Sequence, residues 1–325
     1  MMLNSWLSLA IGVCYVILGI VVIIFKFFVF ELEPIVAYAL GALILILTLV
    51  SCKKEKKVSQ VEYNSGNLTI LTDDSFHSVV EGLAQAYMIN YPSTDLKVEV
   101  KKEDLAFLDI LNNNAKIIAI SKPLNDEEKK AYKDHTGFDF HIDYFAVDAV
   151  LFVVGKNSTR KTISMEEIKK ELLSDSKNII FDGNNSSNLN FVARTLGYEP
   201  SALKYSTIVG NKEVAAELEK YPNKIGVISL NTISRPYHKA SQELKSKINI
   251  LSVQKDGVMY LPENGGLGEM KYPFSRMIYF LTNENGFGIA KGFLRFACTQ
   301  LGQKVVNKEG LQPYYLYKRE VQMSR

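Results

Sequence analysis

The chain has 325 residues, of which 47% are hydrophobic and 22% are charged, a balance typical of a folded globular protein. The 38 lysines and arginines nearly equal the 35 aspartates and glutamates, and a formal charge of +3 does not indicate a nucleic-acid-binding protein. The cysteines, Cys14, Cys52 and Cys298, lack the paired spacing of a zinc site or a disulfide framework. We therefore expect no metal site, no cofactor and no disulfide.

Two long uncharged segments lie near the start of the chain, from Trp6 to Phe25 and from Pro34 to Cys52. Each is long enough to cross a hydrocarbon core of roughly 30 Å at about 1.5 Å per residue. A soluble helix of this length usually has a polar stripe, and neither segment has one. Residues 1–57 are therefore predicted to form two transmembrane helices that anchor the protein in the cell membrane.

Cys52 ends the second apolar segment, within the sequence LVSCKKEKK, and two interpretations of it stay open. LVSC resembles a bacterial lipobox, which would make Cys52 a cleaved and lipidated N-terminus. Alternatively, Cys52 ends a permanent transmembrane helix. The lysines that follow favour a cytoplasmic helix end, whereas a lipobox would place the rest of the chain outside the cell.

The chain after the polar tether at residues 58–65 alternates between strand and helix patterns. NLTILTDDS, LKVEV and KIIAIS are typical of strands, and the segments that follow each of them are typical of helices. This order predicts an α/β fold with a mainly parallel sheet and helices on both faces. The length from Gly66 onward exceeds that of a typical single core, so we expect two lobes.

Several segments occur in a characteristic order: DDSFHSVVEGLAQAY, AISKPLNDEEKKAY, YFAVDAVLFVVGKNS, ISMEEIKKELL, KIGVISLNTI, YPFSRMIYFLTN and GFLRFACTQLGQKVVNKEGLQPYY. Together they resemble the phosphate-type periplasmic solute-binding proteins of ABC importers. The likeness covers nearly all of the chain from Gly66 to Tyr315. It implies two α/β lobes joined by two crossover strands, Asp143–Val154 and a stretch near Leu251–Tyr279. Lobe I would comprise about residues 66–145 and 255–325, and lobe II about residues 150–250.

A small oxyanion held without metal needs backbone N–H groups and hydroxyls, which are best offered where a strand ends and a helix begins. Three loops have this form, at Asp74–Phe76, at Ser121 and at Asn184–Asn188. Each is equally typical of an ordinary helix N-cap. The resemblance implies phosphate ligands at the matching positions, and the candidates are Ser75, Phe76, Ser121, Asn185, Ser186 and Ser187.

The sequence departs from the family pattern at the third loop. Phe181 and Asp182 stand where the family commonly has an arginine, and the Asn-Asn-Ser-Ser segment has neither family glycine. Lys122 is a candidate for the missing positive charge. Asp148 interrupts an apolar strand, where it either lies near the cleft, as the resemblance implies, or bonds to neighbouring backbone. Arg276 could face the ligand or form a structural ion pair.

We therefore expect a membrane-tethered protein that binds phosphate or a similar small oxyanion between its lobes, for ABC-type uptake or for sensing. Its partners would be an ABC transporter permease or a membrane sensor, with the binding domain extracytoplasmic. The alternative is a signalling or scaffolding membrane protein with the same fold and a degenerate ligand site. No set of nucleophile, base and orienting group indicates an enzyme.

Overall fold

A computed structural model of the chain describes residues 62–262 and 267–315. The predicted transmembrane helices, Cys52 and most of the tether lie outside these residues. Within the described ranges, no helix is both long enough and apolar enough to cross a bilayer. The chain from Gln60 to Arg325 forms a compact unit with its own core, and we therefore expect it to fold without residues 1–59.

The described residues alternate between strands and helices, as the sequence predicted. The strands are β1 (Ser65–Thr72), β2 (Ser93–Val100), β3 (Ile117–Ile120), β4 (Asp143–Gly155), β5 (Thr162–Ser164), β6 (Ile179–Phe181), β7 (Ser206–Thr207), β8 (Ile225–Ser229), β9 (Ile248–Ile250), β10 (Ser252–Lys255), β11 (Val258–Tyr260), β12 (Ser275–Thr282) and β13 (Gln312–Pro313). The helices are α1 (His77–Asn90), α2 (Glu103–Leu111), α3 (Asp126–Thr136), α4 (Met165–Leu173), α5 (Ser187–Leu196), α6 (Asn211–Glu217), α7 (Lys239–Ser246), α8 (Ile289–Cys298) and α9 (Gln300–Lys308).

The main sheet has the strand order β2-β1-β3-β12-β4-β8-β6-β7. The pairs on either side are parallel, namely β1 with β2 and β3, and β6 with β7 and β8. The central strands β12 and β4 are antiparallel to each other and to their neighbours β3 and β8. The sheet is therefore mixed. The three strands from which a parallel sheet was predicted, β1, β2 and β3, are parallel, but the prediction did not extend to the antiparallel centre formed by β12 and β4.

Strand β4 belongs to both halves of the molecule. Its first half pairs with β12, and its second half pairs with β8 and β9. All of its residues from Phe145 to Gly155 are buried, which explains the nearly continuous apolar sequence. We call the part around β1, β2, β3 and β12 the first lobe, and the part around β6, β7 and β8 the second lobe. This two-lobed α/β architecture agrees with the predicted fold class.

Two pairs of parallel strands, one pair in each lobe, direct their carboxyl ends towards the boundary between the lobes. β1 and β3 belong to the first lobe and lead into Asp73 and Ser121, whereas β6 and β8 belong to the second lobe and lead into Asp182 and Leu230. Polar residues at these strand ends are buried. The fold thus brings together four polar loops that are far apart in sequence, and they form the candidate site.

Candidate functional site

A glutamate lies at the centre of the boundary between the lobes. Glu103 is the first residue of α2, and none of its surface is accessible to solvent. Its Oε1 accepts hydrogen bonds from the backbone N–H groups of Ser121 at 2.5 Å and Lys122 at 3.1 Å. The hydroxyl of Ser121 lies 3.2 Å from the same oxygen, and that of Ser187 lies 3.4 Å from it. One carboxylate oxygen therefore faces donors from both lobes.

The second carboxylate oxygen of Glu103 is buried, and among the described residues it has no hydrogen-bond partner. An unsatisfied buried acceptor costs about 1–3 kcal/mol. Burial raises the pKa of Glu103, and the negative charge of Asp73 adds to the increase. The backbone hydrogen bond from Ser121 and the charges of Arg276 and Arg194 oppose it. Burial thus makes the carboxylate of Glu103 less favourable than it would be in water, and the donors around Oε1 partly offset this cost.

Ser121 and Ser187 meet across the boundary between the lobes. Their hydroxyl oxygens are 3.0 Å apart, and both side chains are buried. Ser121 follows β3 directly, whereas Ser187 is the first residue of α5. The structure therefore brings together two of the predicted ligand residues, although 66 positions separate them in the sequence.

Ser75 and Phe76 lie on the first-lobe side of the same region. Asp73 caps this turn by accepting a hydrogen bond from the backbone N–H of Ser75 at 3.0 Å. The carbonyl of Ser75 accepts from Ser229 Oγ at 2.8 Å and from Asn231 Nδ2 at 3.1 Å, both in the second lobe. The ring of Phe76 is fully buried. Both predicted residues therefore border the site, where Ser75 joins the lobes through its backbone.

Asp148 and Arg276 form a buried ion pair on adjacent strands. Nε and Nη2 of Arg276 donate to Oδ2 of Asp148 at 2.9 and 2.8 Å, and neither side chain is accessible. Nη1 of Arg276 lies 3.1 Å from Ser187 Oγ, and its guanidinium stacks 4.6 Å from the centre of the Phe76 ring. Arg276 and Asp148 therefore form a structural ion pair. Arg276 also reaches the site through its contact with Ser187.

Asp182 occupies the position where the resemblance implied an arginine. Its carboxylate is buried and accepts hydrogen bonds from Asn188 Nδ2 and Asn211 Nδ2, each at 3.1 Å. The ammonium of Lys102, from the first lobe, is 3.7 Å away. Burial, followed by the charge of Asp73, raises the pKa of Asp182 to about 6, while Lys102 opposes the increase. Lys102 is thus the lysine that approaches this loop.

The interpretation of Lys122 as a replacement cation was wrong. Its ammonium group forms ion pairs with Asp104 and Glu128, each at 2.7 Å. The charge of Lys122 is therefore already paired, although its backbone N–H donates to Glu103. Lys122 therefore contributes an amide rather than a charge to the site.

The loop before α5 separates its predicted residues into different roles. Ser186 is the N-cap of α5, since its hydroxyl accepts from the backbone N–H of Leu189 at 3.2 Å. Ser187 faces the opposite lobe. Asn185 is exposed and adopts a left-handed backbone conformation with φ of 55°, so its side chain does not join the others. Ser186 thus has the capping role, whereas Ser187 is the serine in a position to contact a ligand.

Further contacts close the boundary between the lobes. Asn211 donates from its backbone N–H and its side-chain amide to Asp74 at 2.8 and 2.9 Å. Asn190 donates to Asp104 at 2.9 Å. Neither Glu103 nor Asn211 could be selected from the sequence, since an acidic residue and an asparagine at a helix start are common for local reasons. The lobes are in direct contact through polar side chains.

In a two-lobed α/β fold, amides and hydroxyls from both lobes thus converge on one oxygen atom, Oε1 of Glu103. The PBP superfamily domain matches residues 57–300, more than half of the chain, and the chain belongs to this superfamily. It is 23% identical over 282 residues to the phosphate-binding protein PstS of Pseudomonas aeruginosa, with 77% of this chain and 83% of the relative covered.

Solved structures show the same fold. One is described as a phosphate ABC transporter substrate-binding protein of Clostridium perfringens with bound phosphate; it has a TM-score of 0.63 and 19% identity, covering 76% of this chain and 99% of that one. Another is an ABC-type phosphate transport receptor of Vibrio cholerae, with a TM-score of 0.58, 15% identity and coverage of 76% and 100%. These proteins are named for binding and transport, in agreement with the prediction that the chain is not an enzyme.

Proposed function

We propose that the chain is a solute-binding protein that closes its two lobes over phosphate or a similar small oxyanion, for ABC-type uptake or sensing. The observation that carries this proposal is the set of donors around Glu103 Oε1. Two backbone N–H groups and the hydroxyls of Ser121 and Ser187 surround one anionic oxygen. Donors in this arrangement suit any small anion with several oxygens.

The remaining charges favour an oxyanion that still carries a proton. Asp73, Asp148 and Asp182 are buried near the site, and the charge of Arg276 is already paired with Asp148. Phosphate retains a proton near neutral pH and can donate a hydrogen bond to a carboxylate, whereas sulfate has no proton to donate. A buried carboxylate without such a donor would repel the anion. We therefore expect phosphate to bind more tightly than sulfate.

Isothermal titration calorimetry and thermal shift on residues 60–325 test this function. Millimolar phosphate should raise the unfolding midpoint by linkage, and sulfate should raise it less. An equal response to both would contradict the role of the buried carboxylates. An absence of any response across a panel of phosphate, sulfate and other oxyanions would contradict solute binding.

We further propose that residues 1–57 tether the binding unit to the cell membrane, with the unit outside the cytoplasm. The support is the pair of uncharged segments in the sequence and the similarity to transport proteins. An alkaline phosphatase fusion after Gly66 should be active in cells, and a cytoplasmic reporter at the same point should be inactive. Mass spectrometry of the mature N-terminus decides whether Cys52 is lipidated.

A second candidate function is a signalling or scaffolding protein with a degenerate ligand site. The observation that favours it is the chain's own carboxylate at the oxyanion position, together with Phe181 and Asp182 in place of the implied arginine. Such a protein would show no response to the oxyanion panel. Its binding partner would then be a membrane protein alone.

A further inference from the structure

We propose that Glu103 is an internal ligand, whose carboxylate occupies the oxyanion position when no solute is bound and, with the other polar contacts between the lobes, keeps them closed. A solute oxyanion must displace this carboxylate before it can bind the same donors. The part of this inference that concerns solute rests on the proposed function. The part that concerns closure of the lobes rests on the contact between Glu103 and Ser187 and does not depend on a solute.

The donors around Glu103 Oε1 are of the kind that a bound oxyanion would use. Glu103 Oε1 uses the amides of Ser121 and Lys122 and approaches the hydroxyl of Ser187. These are the groups that a bound oxyanion would need, because they combine free amides at a strand end with a hydroxyl from the opposite lobe. A solute and Glu103 therefore compete for one position.

The contact between Glu103 and the second lobe also affects closure of the lobes. In a two-lobed binding protein, the solute ordinarily supplies the contacts that both lobes share, and closure therefore depends on it. Here Glu103, from the first lobe, supplies such a contact to Ser187 of the second lobe. Ser121 reinforces it through the 3.0 Å contact between the two hydroxyls. Glu103 thus makes a contact between the lobes that a bound solute would otherwise make.

The carboxylate of Glu103 is only partly hydrogen-bonded in this position. Its Oε2 is buried and, within the part of the chain described, lacks a hydrogen-bond partner. Glu103 is also the first residue of its helix, and the next side chain, Asp104, is 41% exposed. A solute that satisfied the donors of Oε1 would remove the cost of burying Oε2 without a partner, once Glu103 had left the position.

The test compares residues 60–325 of the wild type with Glu103→Ala, and with Glu127→Ala as a control that removes one exposed acid outside the site. Small-angle X-ray scattering without phosphate measures closure, and calorimetry with inorganic phosphate measures affinity. We expect Glu103→Ala to have a larger radius of gyration that returns to the wild-type value with phosphate. We expect it to bind phosphate about tenfold more tightly, because no internal ligand competes.

Unchanged scattering and unchanged or weaker phosphate affinity in Glu103→Ala would overturn the inference while leaving the proposed function intact. Opening of Glu103→Ala without phosphate binding by either protein would support closure by Glu103 and contradict the proposed function. If Glu103→Ala fails to fold, Glu103→Gln preserves the shape and weakens the acceptor, and should tighten phosphate binding by a smaller factor. No tightening in folded Glu103→Gln would then overturn the inference.

Discussion

Arg276 and Asp148 are directly opposite partners on the adjacent antiparallel strands β12 and β4, and two guanidinium nitrogens of Arg276 donate to one oxygen of Asp148. The other oxygen of Asp148 accepts from the backbone N–H of Asn231 at 3.1 Å. The pair lies where β4 passes from its pairing with β12 to its pairing with β8. It therefore joins both lobes to the strand that they share.

Replacement of Arg276 by methionine should destabilise the protein by about 3–5 kcal/mol, because it leaves the carboxylate of Asp148 buried without its cation. Urea unfolding of residues 60–325 measures this loss, and the additional change Asp148→Asn should recover part of it. Lys130→Ala, which breaks an exposed ion pair with Asp134, is the control and should leave the midpoint unchanged. A loss for Arg276→Met no larger than that of the control would contradict the structural role of the pair.

The adjacent serines of the α5 loop provide a matched test of capping against ligand binding. Ser186→Ala should lower stability by about 1 kcal/mol through loss of the N-cap, with little change in phosphate affinity. Ser187→Ala should weaken phosphate binding about tenfold, because it removes a hydroxyl from the oxyanion position. Thermal unfolding and calorimetry on both variants measure the two effects. The reverse assignment of effects would show that the roles of the two serines are misassigned.

The left-handed backbone of Asn185 indicates how this loop tolerates the absence of the two family glycines. With φ of 55° and an exposed side chain, Asn185 meets the same backbone requirement that glycine would meet. The free energy of unfolding of Asn185→Gly should therefore be within about 0.5 kcal/mol of that of the wild type. Asn185→Val should be less stable by about 1–2 kcal/mol, since a β-branched residue disfavours this conformation. Equal stability of the two variants in urea unfolding would contradict the backbone assignment.

The raised pKa of Asp182 predicts that the stability of the protein depends on pH. Asp73, Lys102, Asn188 and Asn211 face its carboxylate, and the pKa of Asp182 is raised to about 6 by burial and by Asp73. The folded state then binds a proton more tightly than the unfolded state, so the contribution of Asp182 to stability grows as the pH falls from above 6 towards 4.

The measurement is the thermal midpoint at pH 7.5 and pH 5.0. Titration of the other acids contributes to both proteins, so comparison with Asp182→Asn isolates this group. Relative to Asp182→Asn, the wild type should be more stable at pH 5.0 than at pH 7.5. If acidification shifted both midpoints equally, the pKa of Asp182 would not be raised in the folded protein.

Much of the local structure could be predicted because it depends on nearby residues. Asn125 caps α3 by accepting a hydrogen bond from the backbone N–H of Glu128 at 2.8 Å. Ser164 likewise caps α4 through Glu167 at 3.0 Å. Both bonds span three positions, so the sequence contains all of the information that they need.

The site could be predicted only in part, because its contacts depend on strand order. The resemblance indicated Ser75, Ser121 and Ser187, and the structure places all three at the boundary between the lobes; their role as ligands stays a prediction. Glu103 gave no such indication, since an acidic residue in the first turn of a helix is explained by the helix dipole alone. Its contact with Ser187 spans 84 positions and arises from the order of the strands.

The continuity of β4 restricts how the molecule can move. Since Ala149 pairs with β12 and Val150 pairs with β8, the two neighbouring peptides belong to different lobes. Separation of the lobes therefore requires a change in twist over a few peptides of β4, because this strand is continuous between them. Amide hydrogen exchange should accordingly report domain motion in the middle of β4.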